Sequence, residues 1–272
     1  MTGKTIRMQR LFNGNLKREN IVICAVDHGM FQGVQPGLER MADRLKDALQ
    51  ADAILMGPGM IQHYPQFFFK RNGPVLITRL AYTSAYCFPW NYSEGHTRDM
   101  FTPGYLQSLG ADIIVTSLQL KTGSEQIDAE NAEVWGKVVM EKERLGIPLI
   151  GEFHPTVYEN VHEDEWHDLI KRGCRILCEL GADMIKTFYT DERFSEITGS
   201  VPIPIFVLGS KKLPREIDVL DLAEHAVAGG ARGVAIGRNI FQARSPRRMI
   251  EALRLVVKRG KSAAEAARSL EP

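Results

Sequence analysis

The apolar residues of this chain recur in eight short runs that are separated by helical or polar stretches. Four runs follow a helical pattern that ends in glycine or a polar residue and then alanine; these junctions begin at Gln50, Gly110, Gly181 and Gly230. A glycine at the end of a helix can adopt the left-handed conformation that stops the helix, so the pattern predicts helix-to-strand junctions. The other four runs are residues 21–26, 75–79, 148–153 and 203–208. Together they predict eight strands.

The predicted strands alternate with helices and are apolar on both faces, as buried parallel strands require. This order indicates a (β/α)8 TIM barrel, an α/β fold, while a doubly wound open sheet with two extra strands is the alternative. No linker or break in composition is visible, so we predict a single domain over residues 1–272. It would carry an N-terminal extension at 1–20 and a C-terminal tail at 258–272. Residues 88–105 are expected to form a long loop that could reach over the site.

Composition and charge exclude several classes of protein. The chain has 272 residues, 44% of them hydrophobic, with 34 Lys plus Arg against 33 Asp plus Glu. This average composition excludes disorder, and the near-zero net charge gives no basic excess for binding nucleic acid. Four cysteines are too few for a disulfide scaffold and show no paired zinc spacing, so we expect reduced thiols and no metal. No apolar segment resembles a secretory signal or a membrane helix, which favours a cytoplasmic protein with no membrane partner.

Polar side chains collect where the predicted strands end, which is the face of a TIM barrel that carries the chemistry. The strongest signal follows the last two strands, where Gly209 and Gly237 would let backbone N–H groups approach an anion. Ser210 lies in the first of these loops, and Arg238 could add a charge-assisted contact. We therefore predict a phosphate site here. The alternative is that the glycines only turn the chain and that Arg238 is a solvated surface residue.

Lys186 directly follows two apolar residues of a predicted buried strand, where a charged ammonium would be expensive to bury. Loss of hydration, and a neighbouring cation such as Arg79, would favour the neutral amine. A neutral amine attacks carbonyls and forms a Schiff base. The alternative is an ammonium that reaches solvent or pairs with Asp27.

Three separated motifs resemble the DeoC/LacD aldolase superfamily, which includes the archaeal-type class I fructose-bisphosphate aldolases. They are Ala25-Val26-Asp27-His28-Gly29, Ala182-Asp183-Met184-Ile185-Lys186-Thr187-Phe188-Tyr189 and Gly237-Arg238-Asn239-Ile240-Phe241-Gln242. Two further stretches, Asp27 to Gly33 and Gly209-Ser210-Lys211-Lys212-Leu213-Pro214, are most similar to the LsrF-like thiolase branch. The likeness spans roughly residues 10–270.

This resemblance implies roles for individual positions. Lys186 matches the Schiff-base lysine and Asp27 the acid that handles protons near the substrate hydroxyls. The phosphate cradle falls on four residues: Gly209, Ser210, Gly237 and Arg238. We further expect His28 and Arg79 to contact the substrate.

The fifth strand departs from the family pattern. Where the fructose-bisphosphate aldolases have a Tyr-Pro-Arg-Gly motif, whose tyrosine is the general acid/base, this chain has His154-Pro155-Thr156-Val157. A histidine titrates near neutrality and could move the same proton, so we expect His154 to be the acid/base. It could instead be a structural residue. Glu152 lies on the same strand face and could act as the base or orient His154.

The sequence therefore favours a Schiff-base aldolase that makes or breaks a C–C bond in a phosphorylated ketose or keto compound, with dihydroxyacetone phosphate as the donor. The alternatives are a synthase that joins an amino-aldehyde such as aspartate semialdehyde to a phosphorylated keto donor, and a thiolase that transfers an acetyl group to coenzyme A. A non-catalytic barrel that binds sugar phosphates is a third. We expect no cofactor outside the thiolase alternative, where coenzyme A would take part. The resemblance also implies a homo-oligomer.

Overall fold

A computed structural model describes residues 2–70, 72–153, 155 and 162–271. Within these residues, eight parallel strands close into a barrel in which consecutive barrel strands along the chain are neighbours. Two further strands, Ala81–Thr83 and Thr97–Asp99, form a separate antiparallel pair. The predicted (β/α)8 barrel is therefore confirmed, and the open doubly wound sheet is excluded.

The strands are β1 (Ile21–Ala25), β2 (Ala53–Met56), β3 (Val75–Arg79), β4 (Ala81–Thr83), β5 (Thr97–Asp99), β6 (Ile113–Leu118), β7 (Leu149–Phe153), β8 (Met184–Thr187), β9 (Ile205–Leu208) and β10 (Gly233–Ile236). The helices are α1 (Thr2–Leu11), α2 (Gly29–Gln32), α3 (Met41–Ala48), α4 (Pro58–His63), α5 (Pro103–Ser108), α6 (Glu125–Leu145), α7 (Glu163–Glu179), α8 (Phe194–Gly199), α9 (Glu216–Ala228), α10 (Arg238–Phe241), α11 (Pro246–Arg259) and α12 (Ala263–Ala267). The ring order is β1-β2-β3-β6-β7-β8-β9-β10, and β4 pairs with β5. All eight predicted strands are present. Gly110, Gly181 and Gly230 have φ of 92–93°, as the predicted helix ends require.

Alternate residues of each barrel strand face the barrel interior. Ile21 and Ile23 of β1 belong to this inner core together with Ile113 of β6 and Met184 of β8, while Val22 packs outward against the helices. This separation follows from the period of two along a strand. It also determines which polar residues at the strand ends point into the barrel.

The N-terminal extension closes the end of the barrel where the strands begin. Leu11 and Phe12 are buried in the inner core, and the Phe12 ring stacks on Phe206 with ring centroids 6.1 Å apart. At the other terminus α11 extends to Arg259, so the first residues of the predicted tail belong to this helix. In the described residues, no helix is both long enough and apolar enough to cross a bilayer.

The segment 88–105 differs from the predicted loop. Thr97–Asp99 pairs with Ala81–Thr83, and Pro103 already begins α5. The Asn131 side chain fixes this excursion, because its amide donates to the carbonyl of Gly95 and its oxygen accepts from the N–H of Thr97. Two strands of three residues give too short a pattern to be recognised in a sequence. The expected position over the site is confirmed, since Phe88 lines the cavity described below.

Candidate active site

Polar side chains form the layer above the hydrophobic interior at the carboxyl ends of the strands. Each lies two residues beyond an inner-core residue of its own strand, so the same alternation that buries the core aims the polar groups inward. The layer consists of Asp27, Arg79, Ser117, Glu152 and Lys186. Strand register brings three of them side by side, because Glu152 is paired with Ser117 on one side and Lys186 on the other.

Four of these side chains form an ionic chain across the barrel. Lys186 Nζ lies 2.6 Å from Glu152 Oε1, and Arg79 donates to Glu152 Oε2 at 2.6 Å. The Nε of Arg79 donates to Asp27 Oδ2 at 2.8 Å. Two cations and two carboxylates alternate, so the chain is electrically balanced although all four residues are buried.

The two carboxylates are held in their charged form. Burial by itself would raise the pKa of Glu152, but Arg79 and Lys186 outweigh this effect and hold the pKa well below its usual range. For Asp27 burial also acts upward, and Arg79 is the main cause of a net lowering of the pKa. Both carboxylates are therefore proton acceptors at neutral pH.

The surroundings of Lys186 differ from the expectation. We expected a cation beside the amine, or a pair with Asp27. Instead Glu152 lies between Arg79 and Lys186, and it is the partner of the lysine. The Lys186 side chain is 10% exposed and lines the cavity, so a small carbonyl compound can reach its amine.

Arg79 lines the cavity, and its expected contact with the substrate stays a prediction. Its guanidinium contacts both carboxylates and lies 5.6 Å and 5.5 Å from the ring centroids of Phe31 and Tyr86. Through Nε and Nη1, Arg79 holds Asp27 and Glu152 in position.

Ser117 and Tyr86 were missing from the sequence-based site. Ser117 Oγ accepts from Arg79 at 3.1 Å, donates to Glu152 Oε2 at 3.0 Å and lies 3.1 Å from the Tyr86 hydroxyl. Burial and then the charge of Glu152 raise the pKa of Tyr86 well above its usual value, so the phenol is protonated. The inward strand parity of residue 117 could have identified Ser117. Tyr86 comes from the irregular chain after β4 and gave no such signal.

The predicted phosphate residues lie together at the ends of β9 and β10. Gly209, Ser210, Gly237 and Arg238 all line the same cavity as Lys186. A Cβ on Gly237 would lie 2.2 Å from Cε1 of His28, so a larger residue does not fit beside the histidine. Ser210 adopts φ 50°, an uncommon left-handed conformation for a residue other than glycine, and this orients the loop after β9.

Asn239 positions this loop and was also missed as a functional residue. Its buried amide donates to the carbonyl oxygens of Gly209 at 2.7 Å and Lys211 at 2.9 Å, and its oxygen accepts from the N–H of Leu213 at 2.8 Å. One side chain therefore joins the start of α10 to the loop after β9.

His28 lines the cavity beside this loop, and its ring packs edge-on against Phe241 with centroids 5.1 Å apart. Burial lowers the pKa of His28 to about 4; the nearby cations Lys186 and Arg238 act in the same direction, while Asp27 opposes them. The imidazole is therefore neutral at neutral pH. His154, the expected acid/base, lies outside the described residues.

The cavity has a volume of about 680 Å³, which is in the range of small-molecule sites. It contains a buried lysine paired with a carboxylate, and two loops suited to a phosphate follow its last two strands. This arrangement is that of a TIM-barrel enzyme, whose active site lies at the carboxyl ends of the strands.

The chain belongs to the DeoC/LacD family of aldolases, because residues 21–243 match that family. An uncharacterised aldolase of Saccharolobus solfataricus is 30% identical over the whole of both chains. The 3-hydroxy-5-phosphonooxypentane-2,4-dione thiolase of Klebsiella pneumoniae is 30% identical over 97% of this chain and 84% of its own. The predicted likeness to the thiolase branch is thus confirmed.

Solved structures agree on the fold. An archaeal fructose 1,6-bisphosphate aldolase superposes with a TM-score of 0.80 at 24% identity, covering 93% of this chain and 98% of its own. A fructose-bisphosphate aldolase from Slackia heliotrinireducens gives a TM-score of 0.78 at 16% identity, covering 99% and 90%. At these identities the likeness concerns the barrel and not its substrate.

Proposed function

We propose that the protein is a class I, Schiff-base-forming aldolase that makes or breaks a C–C bond in a phosphorylated ketose, with dihydroxyacetone phosphate as the donor. The observation that carries this proposal is the contact between Lys186 and Glu152 inside the cavity. The amine is accessible to a small carbonyl compound, and a carboxylate that can accept its proton lies 2.6 Å away.

The first half of the reaction needs only these two groups. Lys186 gives a proton to Glu152, and its lone pair attacks the carbonyl carbon. Transfer of a second proton from the nitrogen to the former carbonyl oxygen gives a carbinolamine. Return of a proton to the hydroxyl releases water and leaves the protonated iminium. Glu152, fixed by Arg79 and Ser117, stays beside the nitrogen through these transfers. No separate cofactor is required, because the iminium itself withdraws electrons.

In the second half, the electron pair of the breaking C–C bond moves into the iminium and forms an enamine. The hydroxyl of the departing fragment loses its proton and becomes the aldehyde carbonyl. Asp27 and His154 are the candidates for accepting this proton; Asp27 is held as a carboxylate by Arg79. Protonation of the enamine and hydrolysis then return Lys186.

Two variants, Asp27→Asn and His154→Phe, identify the acid/base. The variant that lacks this group should still form the Schiff base, but its turnover should fall by about 10²–10⁴-fold.

The donor phosphate is assigned to the loops after β9 and β10. Gly209 and Gly237 have no side chain that would keep an anion away from the backbone N–H groups, and Arg238 supplies a positive charge. A phosphate at this position places the donor carbonyl towards Lys186 on the adjacent strand β8.

Borohydride trapping tests the proposal. Incubation with dihydroxyacetone phosphate and sodium borohydride should reduce the iminium to a stable secondary amine, and peptide mass spectrometry should locate the added mass on Lys186. A sample with borohydride alone is the control. Absence of an adduct with any triose or ketose phosphate would contradict the aldolase function.

Acyl transfer to coenzyme A is a second candidate, favoured by the 30% identity to the Klebsiella pneumoniae thiolase over 97% of this chain. In that case loss of a phosphorylated diketone substrate should depend on free coenzyme A and produce acetyl-coenzyme A in equal amount. Homo-oligomerisation and a cytoplasmic location stay predictions.

A further inference from the structure

The cavity has two chemically different ends, and the ring order of the strands sets them apart. β9, which carries Gly209 and Ser210 in its loop, is the seventh strand of the ring. The third strand, β3, is four positions away in a ring of eight and therefore lies across the barrel from it. The excursion that follows β3 contributes Tyr86, Phe88, Asn91 and Tyr92 to the cavity wall, and it packs against α2, which follows β1.

Aromatic side chains form much of this wall. Phe31 of α2 contacts Tyr86 edge-on with ring centroids 5.3 Å apart, and the ring centroids of Phe31 and Tyr82 are 5.9 Å apart. Phe88 and Tyr92 extend the wall at the cavity mouth. The β4–β5 pair supports these residues, because it carries Tyr82 and returns the chain after Tyr92.

Positive charge is distributed unequally between the two ends. In the described part of the chain, the Lys and Arg residues that line the cavity are Arg79, Lys186, Lys211 and Arg238. Arg79 and Lys186 belong to the ionic chain with Asp27 and Glu152, and Lys211 and Arg238 follow β9 and β10. Residues 154–161, which follow β7, contain no Lys or Arg in the sequence.

A second phosphate would therefore be unfavourable at the aromatic end. The phosphate would lose its hydration without forming an ion pair, and the faces of aromatic rings carry partial negative charge that repels an anion. An apolar group has no favourable hydration to lose there, and it gains free energy by burying apolar surface. The Asn91 amide, which also lines this end, offers one polar contact for a hydroxyl or carbonyl.

We infer that the acceptor half of the substrate is an uncharged, largely apolar aldehyde, so that the ketose made or cleaved carries a single phosphate, at its donor end. This inference rests on the proposed aldolase function and specifies its substrate class. It excludes a bisphosphorylated ketose as the preferred substrate.

Aldol synthesis with paired acceptors tests the inference. Dihydroxyacetone phosphate is supplied as the donor, and butanal, phenylacetaldehyde, glyceraldehyde and glyceraldehyde 3-phosphate are compared as acceptors by kcat/KM. We expect an apolar aldehyde to exceed glyceraldehyde 3-phosphate by about tenfold or more, since a tenfold preference needs only about 1.4 kcal/mol. Borohydride trapping of the donor is measured in parallel without any acceptor.

The parallel measurement separates the two possible failures. If the donor is trapped on Lys186 but glyceraldehyde 3-phosphate is as good an acceptor as the apolar aldehydes or better, the inference is wrong while the aldolase function stands. If no donor is trapped, the aldolase function fails and the inference fails with it.

A charge introduced into the aromatic wall gives an independent test. Phe88→Lys should raise kcat/KM for glyceraldehyde 3-phosphate about tenfold and lower it for phenylacetaldehyde. The matched control is Trp90→Lys, because Trp90 belongs to the same short turn, is 65% exposed and is not part of the cavity wall. Trp90→Lys should leave the ratio within about twofold. An equal effect of both variants would show general charge attraction and overturn the assignment of the wall.

Discussion

Two buried lysines at opposite ends of the barrel differ in how far the fold leaves their amines accessible. Lys186 lies where the strands end and Lys142 lies on α6, at the end where the strands begin. Both are paired with carboxylates: Lys186 with Glu152 at 2.6 Å, and Lys142 with Asp183 and Glu143 at 2.7 Å each. Burial and an acidic partner are therefore common to both.

The two lysines differ in the access of solvent to their amines and in the other contacts of their partner carboxylates. The Lys142 side chain is 0% exposed, and its partner Asp183 also accepts from the backbone N–H of Leu149, which fixes the start of β7. Lys186 opens into the cavity, and its partner Glu152 is connected to other side chains. A buried lysine in a strand or helix is therefore not by itself a sign of catalysis. An open path to its amine is the distinguishing observation.

Of the changes considered, removal of the Lys186 amine should lower turnover the most. In Lys186→Met turnover should fall by at least about 10⁴-fold, because the covalent intermediate cannot form. Borohydride trapping should disappear as well, and circular dichroism should show the native fold. Lys186→Arg keeps the charge beside Glu152 and serves as the control; it should be equally inactive. A trapped adduct on another residue in either variant would contradict the role of Lys186.

Removing Lys142 should act on stability instead. Lys142→Met leaves Asp183 without its buried partner, although Lys4 still pairs with Asp183 at 2.9 Å. We expect the free energy of unfolding to fall by about 3 kcal/mol, measured by urea denaturation, while donor trapping on Lys186 is retained. If Lys142→Met folded normally but lost trapping, the contrast between the two lysines would be wrong.

His28, at the end of the barrel that holds the cavity, should make the stability of the protein depend on pH. Its pKa is lowered to about 4 by burial in the folded protein, whereas an unfolded histidine titrates near 6.5. Between these values the unfolded chain binds a proton that the folded protein does not, so stability falls as the pH falls. From pH 6.5 to pH 5 the loss is about 2 kcal/mol.

The variant His28→Asn checks this contribution, because asparagine does not titrate. Its free energy of unfolding should change less than that of the parent protein over the same interval. The lowered carboxylate pKa values of Asp27 and Glu152 do not interfere, since an unfolded carboxyl group titrates near 4 and these residues lose their stabilising effect only at lower pH. Identical pH slopes for the two proteins would show that folding does not lower the pKa of His28.

The smallest expected effect comes from the two arginines that flank β10. Arg238 follows the strand at the cavity, and Arg232 precedes it, where its guanidinium lies 5.3 Å from the Phe12 ring centroid. Arg238→Ala should raise KM for dihydroxyacetone phosphate about tenfold, as expected for loss of a charge-assisted contact. Arg232→Ala should leave KM unchanged and lower stability by about 1 kcal/mol. A larger KM effect in Arg232→Ala would argue against a phosphate site after β10.

The sequence predicted the eight strands because their signals are local. Gly110, Gly181 and Gly230 stop helices through their own backbone conformations, and a run of apolar residues identifies a buried strand without reference to its neighbours. The hairpin after β3 was missed because its two strands contain three residues each. It owes its position to Asn131, which is far away in the chain.

The sequence predicted which residues belong to the candidate site but not which of their side chains contact one another. Asp27, Glu152 and Lys186 were identified from strand ends and from the family resemblance, and all three face the barrel interior. That Glu152 separates Arg79 from Lys186 was not foreseen, because the neighbour of a side chain depends on which strands pair and in what register. Tyr86 was missed for the same reason, since irregular chain brings it to Ser117.

By itself, the sequence determined that this chain forms a (β/α)8 barrel, that Lys186 lies at the end of a strand, and that glycines follow the last two strands. These properties depend on residues a few positions apart, where the periodicity of helix and strand holds. Only the tertiary structure decided which carboxylate contacts Lys186. It also decided that the Lys142 side chain is fully buried while that of Lys186 lines the cavity. It decided as well that Tyr86, Phe88 and Tyr92 line the same cavity. Closing the barrel pairs Ile21 with Gly233, 212 positions further along the chain, and the electrostatic environment of a side chain depends on such long-range contacts.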